Sequence, residues 1–436
     1  MLIKPKKQPH KSNAKRMKEK SKLISVENIY QAKVRLKNVA THTPLMKNLN
    51  LSEIYGCNLY LKREDLQVVR SYKIRGAYNK MSTMSPEELE NGIVCASAGN
   101  HAQGVAYACR MLGVHGTIFM PSTTPSQKVN KVKFFGKDKV DVILVGDTYD
   151  AAADEAKIFM SEHKKQYIHP FDDEKVMEGQ GTVGVEILED CDVAIDYIFI
   201  AIGGGGLVSG LGSYFRQMSP KTKIIGVEPL GAPSMSASLK KGEVVALETI
   251  DPFVDGAAVK RIGDKTFAIC RTVIDDMIIV PEGKVCSTIL QLYNEEAIVA
   301  EPAGALTISA LDFYKDKIKG KNIVCVISGG NNDITRTEEI KERSLLYEGL
   351  KLYFIVEFPQ RAGALREFLN KALGPEDDIS YFEYTRKHNR EKGPAQIGIE
   401  VKRREDAAAL IQRMDDMKVK YQLLNKSETL FELLVD

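Results

Sequence analysis

Tyr197-Ile198-Phe199-Ile200-Ala201-Ile202-Gly203-Gly204-Gly205-Gly206-Leu207-Val208 is the stretch on which the fold of this 436-residue chain turns. An apolar run rich in β-branched residues reads as a buried strand, the glycines as a loop, and Leu207-Val208 as the start of a helix. Strand, loop and helix in that succession build an α/β architecture with mainly parallel sheets. Working outward, residues 92–96, 116–120, 140–145, 223–227 and 322–327 are short runs of the same kind, and several lead straight into glycine or serine loops. From about residue 23 to 343 such runs alternate with helical patterns. Ligands in such sheets bind beyond the carboxyl ends of the strands, so a site is expected at these loops.

Three further segments carry chemistry: Ser71-Tyr72-Lys73-Ile74-Arg75-Gly76-Ala77, Ser97-Ala98-Gly99-Asn100-His101-Ala102-Gln103-Gly104 and Ser328-Gly329-Gly330-Asn331-Asn332. Glycines without Cβ let several N–H groups turn toward one anion, aided by the positive end of the following helix. The run Gly203–Gly206 therefore reads as a phosphate cradle, with a tight turn or a dinucleotide loop as alternatives. No G-x-x-x-x-G-K-[ST] pattern accompanies it, which weighs against an ATPase. Lys73 reads either as one more solvated lysine or as a nucleophile whose pocket disfavours the ammonium form. Arg75 reads as its structural partner or as an exposed side chain. Ser328 is a helix cap or a hydroxyl facing a ligand, and Asn100 is a turn former beside Gly99 or a donor to a ring hydroxyl.

Composition narrows the class. Apolar residues make up 44% of the chain, enough for two or three buried cores. No run of about 18 apolar residues indicates a membrane span, and no apolar signal core follows the basic start. Cys57, Cys95, Cys109, Cys191, Cys270, Cys286 and Cys325 are odd in number and never in C-x-x-C, which argues against disulfides and a zinc site, so no metal is expected. A cytoplasmic protein with reduced thiols is the expectation. Residues 1–22 hold nine Lys/Arg and one Glu, a net of +8. Removing that arm from the formal +3 leaves the body negative, so no nucleic-acid partner is expected. The arm itself reads as a disordered basic tail.

A charged stretch near 341–349 marks a boundary, placed at 343/344. Beyond it the pattern is a strand at 352–358, a helix at 363–373, strands at 379–386 and 395–401, an amphipathic helix at 404–417, and strands at 419–424 and 430–435. That is a ferredoxin-like α+β unit over 344–436, after a catalytic domain of two subdomains over 23–343.

The four loop segments, in this order and at these intervals, resemble the fold-type II pyridoxal phosphate (PLP) enzymes, and most closely the threonine dehydratases (threonine ammonia-lyases). The resemblance runs from about residue 29 to 343 and takes in Leu61-Lys62-Arg63-Glu64-Asp65, Phe253-Val254-Asp255-Gly256-Ala257-Ala258-Val259-Lys260 and Glu301-Pro302-Ala303-Gly304-Ala305. It implies that Lys73 carries PLP and is the catalytic base. It also implies that Asn100 meets the ring 3-hydroxyl, that Gly203, Gly204, Gly205, Gly206 and Leu207 hold the phosphate, and that Ser328 meets the pyridine nitrogen. Ser97, Gly99, Asn100 and His101 would receive the substrate carboxylate. Glu301 is left to order the site or to support the turn at Pro302.

The implied reaction is elimination of water from L-threonine, and also from L-serine, followed by hydrolysis of the product to a 2-oxo acid and ammonia. Serine racemases similar to this family carry a second serine after the position of Ser97, where this chain has Ala98, which disfavours two-face proton exchange. Phe358-Pro359-Gln360-Arg361-Ala362-Gly363-Ala364-Leu365 is similar to the first turn of an ACT-like amino-acid-sensing domain. One such module fits, which implies the short biosynthetic form, a branched-chain effector, feedback on isoleucine biosynthesis and a homotetramer or homodimer. The alternatives are another fold-type II PLP enzyme such as a serine dehydratase or racemase, an inactive amino-acid-binding regulator, and a nucleotide-binding oxidoreductase.

Overall fold

Apolar runs buried on both faces and separated by amphipathic helices assemble into two parallel sheets, seen in a computed structural model that describes residues 23–384 and 392–426. The strands are β1 (Leu45–Asn48), β2 (Asn58–Arg63), β3 (Ile93–Ala96), β4 (Gly116–Met120), β5 (Val140–Leu144), β6 (Gln166–Tyr167), β7 (Tyr197–Ala201), β8 (Lys223–Pro229), β9 (Asp276–Val280) and β10 (Asn322–Ile327). One sheet runs β1-β2-β10-β7-β8-β9 and the other β5-β4-β3-β6. Every pairing in them is parallel except β1 with β2. All residues of β3 and β4 are buried, as expected where helices cover both faces. This is the α/β architecture with mainly parallel sheets that the sequence reading expects.

Four strands escaped that reading. In β2 the sequence Asn58-Leu59-Tyr60-Leu61-Lys62-Arg63 buries a lysine, because Lys62 Nζ donates to Glu186 Oε2 at 2.6 Å and to the Thr43 carbonyl at 2.5 Å. Strand β6 has two residues, too few for a periodicity. Strand β9 mixes exposed and buried positions, and β1 is a four-residue edge.

The described residues form two compact units. The first reaches Pro281 and resumes over Ala297–Asn332; the second joins Glu282–Glu296 to the residues from Asp333 onward. The expected boundary at 343/344 thus falls inside the helix Thr337–Glu348. That charged helix is no linker: it packs on the helix Glu282–Glu296, with Ser287 Oγ and Ser344 Oγ 3.0 Å apart and Gly283 leaving room for Tyr347.

In the second unit, β11 (Lys351–Pro359), β12 (Asp378–Tyr384), β13 (Lys392–Glu400) and β14 (Tyr421–Leu423) form an antiparallel sheet in the order β12-β13-β11-β14. This is the order of a ferredoxin-like unit. Leu352, Phe354, Val356 and Phe358 point into a core with Phe368, Leu410 and Met414 from the helices Ala364–Ala372 and Arg404–Asp416. The alternate residues Lys351 and Tyr353 face the other way, where both bond to Glu342. The basic tail 1–22 and the strand expected at 430–435 lie outside the described residues. Among those described, no helix is long and apolar enough to cross a membrane.

Candidate active site

Both parallel sheets of the first unit have a point where the strand order reverses. In the larger sheet the chain proceeds outward from β7 to β8 and β9, then returns to β10 on the other side of β7. The glycine loop follows β7 and Ser328 follows β10, so these two loops flank one crevice. In the smaller sheet the reversal lies between β3 and β6. Ser97–Asn100 follow β3, and His169-Pro170-Phe171-Asp172 follow β6.

Lys73 is the first residue of the helix Lys73–Ser82. Tyr72 N–H donates to the Ser328 carbonyl at 3.3 Å and Ser71 bridges to Gly329, so the lysine is stitched to the loop after β10. On the other side, a Cβ on Gly104 would lie 3.1 Å from the Lys73 carbonyl carbon, which lets the helix Asn100–Leu112 approach closely. Lys73 Nζ donates to the Pro170 carbonyl at 3.2 Å. Burial lowers its pKa to about 8, against the opposing pull of the Glu301 anion.

Asn100 opens its helix with both ends of its amide held. Its Nδ2 donates to Glu301 Oε1 at 2.6 Å, and its Oδ1 accepts from Asn331 Nδ2 at 2.7 Å. Glu301 is buried immediately before the helix Pro302–Ser309. Its Oε2 accepts from Asn331 N–H at 3.3 Å, and its own N–H donates to the Gly329 carbonyl at 3.2 Å. Burial, with the charge of Asp255 added, pushes its pKa up to about 7, against the Asn100 and Asn331 donors and Lys128.

Ser97 Oγ accepts from Gly99 N–H at 3.2 Å, and a Cβ on Gly99 would meet nothing within 4 Å, so there is open room above this turn. His101 is oriented otherwise than a ligand would be. Its ring is buried, its Nε2 donates to the Ile168 carbonyl at 2.8 Å, and burial followed by the Lys73 charge lowers its pKa to about 3. It is a neutral strut whose backbone alone faces the turn. Leu207 likewise sends its side chain into the core beside Val208 and Leu211, leaving only its amide at the loop.

The glycine loop has no room for side chains. A Cβ on Gly203 would lie 3.0 Å from Ala257 Cα, one on Gly204 would run into the Phe171 ring, and one on Gly205 would lie 2.9 Å from Met235 Cε. Gly205 also has φ +90, in the left-handed region, and Gly206 begins the helix Gly206–Met218. Ser71 adds a fully buried hydroxyl that no described protein group satisfies. An amine of lowered pKa, a glycine cradle and an orphaned hydroxyl on stitched loops fit a phosphorylated aldehyde such as PLP.

Pro170, Phe171 and Asp172 were missed as parts of the site, and Asn331, quoted within its loop, was given no role of its own. Only the run from His169 to Asp173 before a helix hinted at a functional loop. Arg75 proves wholly buried: it donates to Glu64 at 2.7 and 2.8 Å, to Glu186 at 2.6 and 2.8 Å, to Thr182 Oγ1 at 3.1 Å and to the Thr41 carbonyl at 3.1 Å. It is the structural partner of the helix that presents Lys73.

Residues 36–329 match the model of the pyridoxal-phosphate dependent enzyme family, and residues 342–434 match the C-terminal regulatory domain of threonine dehydratase. The chain is 60% identical over 412 residues to the L-threonine dehydratase biosynthetic IlvA of Halalkalibacterium halodurans, covering 94% of this chain and 99% of that one. It is 59% identical to the Bacillus subtilis protein of the same description, covering 96% and 99%. Among solved structures, the processed form of threonine deaminase isoform 2 from Solanum lycopersicum superposes with a TM-score of 0.69 at 42% identity, over 73% of this chain and 94% of that one. Maize serine racemase superposes at 0.68 with 29% identity, over 74% and 98%.

Proposed function

The chain belongs to the pyridoxal-phosphate dependent enzymes and, among them, to the threonine dehydratases with a C-terminal regulatory domain; from that premise we propose how its own residues eliminate water from L-threonine, the released enamine then taking up water to give 2-oxobutanoate and ammonia. PLP, when bound, supplies the electron sink that makes release of the Cα proton and the β-hydroxyl accessible. Lys73 Nζ would be its attachment point and, as a free neutral amine, the base for the substrate Cα proton. A pKa near 8 keeps a usable fraction of that amine neutral close to physiological pH. The amides of Gly203, Gly204, Gly205, Gly206 and Leu207 would hold its phosphate, and Asn100 would be the residue for its ring hydroxyl. Ser328 would offer the cofactor's pyridine nitrogen a neutral hydroxyl, which favours elimination over transamination.

Ser97, Gly99 and the backbone at Asn100 and His101 receive the substrate carboxylate at the helix N-terminus, where the dipole favours an anion. The observation that carries this reading is the stitching of Lys73 to the loops after β10 and after β6: Tyr72 N–H to the Ser328 carbonyl, and Lys73 Nζ to the Pro170 carbonyl. The reading extends to a branched-chain amino acid, isoleucine first, as the effector of the C-terminal domain. It also extends to turnover of L-serine, to a homotetramer or homodimer, and to a cytoplasmic enzyme whose cysteines are free thiols.

The test is incubation of the purified protein with PLP and L-threonine, with L-serine in parallel. Equal release of 2-oxo acid and ammonia is expected from the wild type and none from Lys73→Ala, which also loses the absorbance of lysine-bound cofactor. Wild-type protein that holds PLP yet releases neither product from threonine would overturn the reading.

A further inference from the structure

A glycine loop cradles an anion only if its peptide planes are turned so that N–H groups, and not carbonyls, face the site. In a planar trans peptide the C=O of one residue and the N–H of the next point in opposite directions. Whatever holds the Gly204 carbonyl therefore aims the N–H of Gly205, and whatever holds the Gly205 carbonyl aims the N–H of Gly206. Both carbonyls are held from behind. The Gly204 carbonyl accepts the Thr266 hydroxyl at 2.7 Å. The Gly205 carbonyl accepts Ser209 N–H at 3.0 Å and the Ser209 hydroxyl at 2.7 Å.

Thr266 is itself fixed from a distant part of the chain. It is wholly buried in the first turn of the helix Asp264–Val273, whose N-cap, Gly263, has no side chain to offer. Asp172 Oδ1 takes the capping place and accepts Thr266 N–H at 3.0 Å. Gly263 is glycine for the same reason, since a Cβ there would run into the Asp172 carboxylate. Asp172 belongs to the loop whose Pro170 carbonyl accepts Lys73 Nζ and whose Phe171 ring lies against Gly204. One short loop thus ties the lysine and the glycine cradle to a common frame.

We infer that Thr266 is a positioning residue for the cofactor phosphate: its hydroxyl turns the Gly204–Gly205 peptide so that the Gly205 N–H faces the anion, with Asp172 as the remote cap that holds Thr266 in register. The inference rests on the proposed phosphate cradle at Gly203–Gly206. Its test compares equilibrium binding of PLP and of pyridoxal, which lacks the phosphate, to apo-protein by fluorescence quenching, in wild type, Thr266→Val, Thr266→Ser, Thr266→Ala and Ser209→Ala. Thr266→Val, close in shape but without the hydroxyl, is expected to weaken PLP by about tenfold to thirtyfold and to leave pyridoxal unchanged. Thr266→Ser restores wild-type affinity for PLP. Ser209→Ala, which loosens only the neighbouring Gly205–Gly206 peptide, weakens PLP by about threefold because the Ser209 N–H still holds the same carbonyl, and Thr266→Ala, expected to weaken PLP and leave pyridoxal unchanged, supplies the reading if the valine variant does not fold.

Wild-type affinity for PLP in Thr266→Val, or equal weakening of PLP and pyridoxal, overturns the inference while leaving the cradle in place. Equal affinity of the wild type for PLP and pyridoxal overturns the cradle and the inference together.

Discussion

Burial draws the Lys73 amine down to about 8, and the Glu301 carboxyl, itself pushed up to about 7, opposes that fall once it ionises. Capture of an aldehyde needs the neutral amine, so the rate at which apo-protein takes up PLP is expected to rise as pH passes through about 8. Glu301→Gln removes the anion that favours the ammonium form, and the midpoint of that rate profile should then move to lower pH; an unmoved midpoint would show that Glu301 does not act on Lys73. The sign for stability follows from the same shift. Folded Glu301 keeps its proton where the unfolded chain has lost it, so its contribution is full below its ordinary 4.5 and is lost as pH rises through about 7. The urea midpoint of the apo-protein should therefore fall less between about pH 5 and 7.5 in Glu301→Gln than in the wild type. Lys73, Asn100, Ser328 and the glycines could be proposed from the sequence because each stands in a local pattern of unusual residues. Glu301 was named with two readings left open, and Thr266 and Asp172 were not singled out, because their parts are defined by partners 201, 62 and 94 positions away.

At the scale of elements, the helix that presents Lys73 is set on a buried lattice of charge. Arg75 and Lys62 share Glu186, and Arg75 also holds Glu64, all four side chains nearly or wholly excluded from solvent. Burial would raise the Glu186 pKa, yet Arg75 and Lys62 outweigh it and hold the carboxyl below its usual range. Glu186→Ala would leave Lys62 without its carboxylate and Arg75 with one, and is expected to cost about 3–5 kcal/mol in chemical denaturation. That cost is a consequence of uncompensated buried charge, and it does not mean the intact lattice contributes as much. Gly204→Ala places a methyl in the Phe171 ring and should abolish retention of PLP through gel filtration; wild-type retention would show that Phe171 yields. The same lattice explains why β2 was hard to read, since Lys62 and Arg63 look like surface residues until their partners are known. Strands β3, β4, β7 and β10 were plain because helices on both sides require unbroken apolar runs.

For the molecule as a whole, the two compact units are interleaved in sequence, and truncation exposes the difference between a sequence boundary and a structural one. Ending the chain after Glu348 keeps the helix Thr337–Glu348 on Glu282–Glu296. The product should stay soluble, bind PLP and release 2-oxo acid from threonine without response to isoleucine. Ending it after Asn332 strips Glu282–Glu296 of that partner, and aggregation is expected by light scattering; equal solubility of the two truncations would show that the helix pair is dispensable. The charge of 341–349, read as a boundary, gave no sign of the helix that spans it, whereas the ferredoxin-like alternation after it needed no partner to be read. Interleaving also bears on how the chain is made. Strand β10 joins β2 to β7 at the centre of the larger sheet, with Asn58 and Asn322 separated by 264 positions. A nascent chain emerging from the ribosome has Lys73, β1 and β2 long before β10, and the glycine loop with β7, β8 and β9 also precedes it, so until residues 322–327 arrive two unpaired strand edges stand open. Synthesis therefore leaves a long interval in which the half-built sheet is open to misassociation, and chaperone dependence during translation should be set by the arrival of β10.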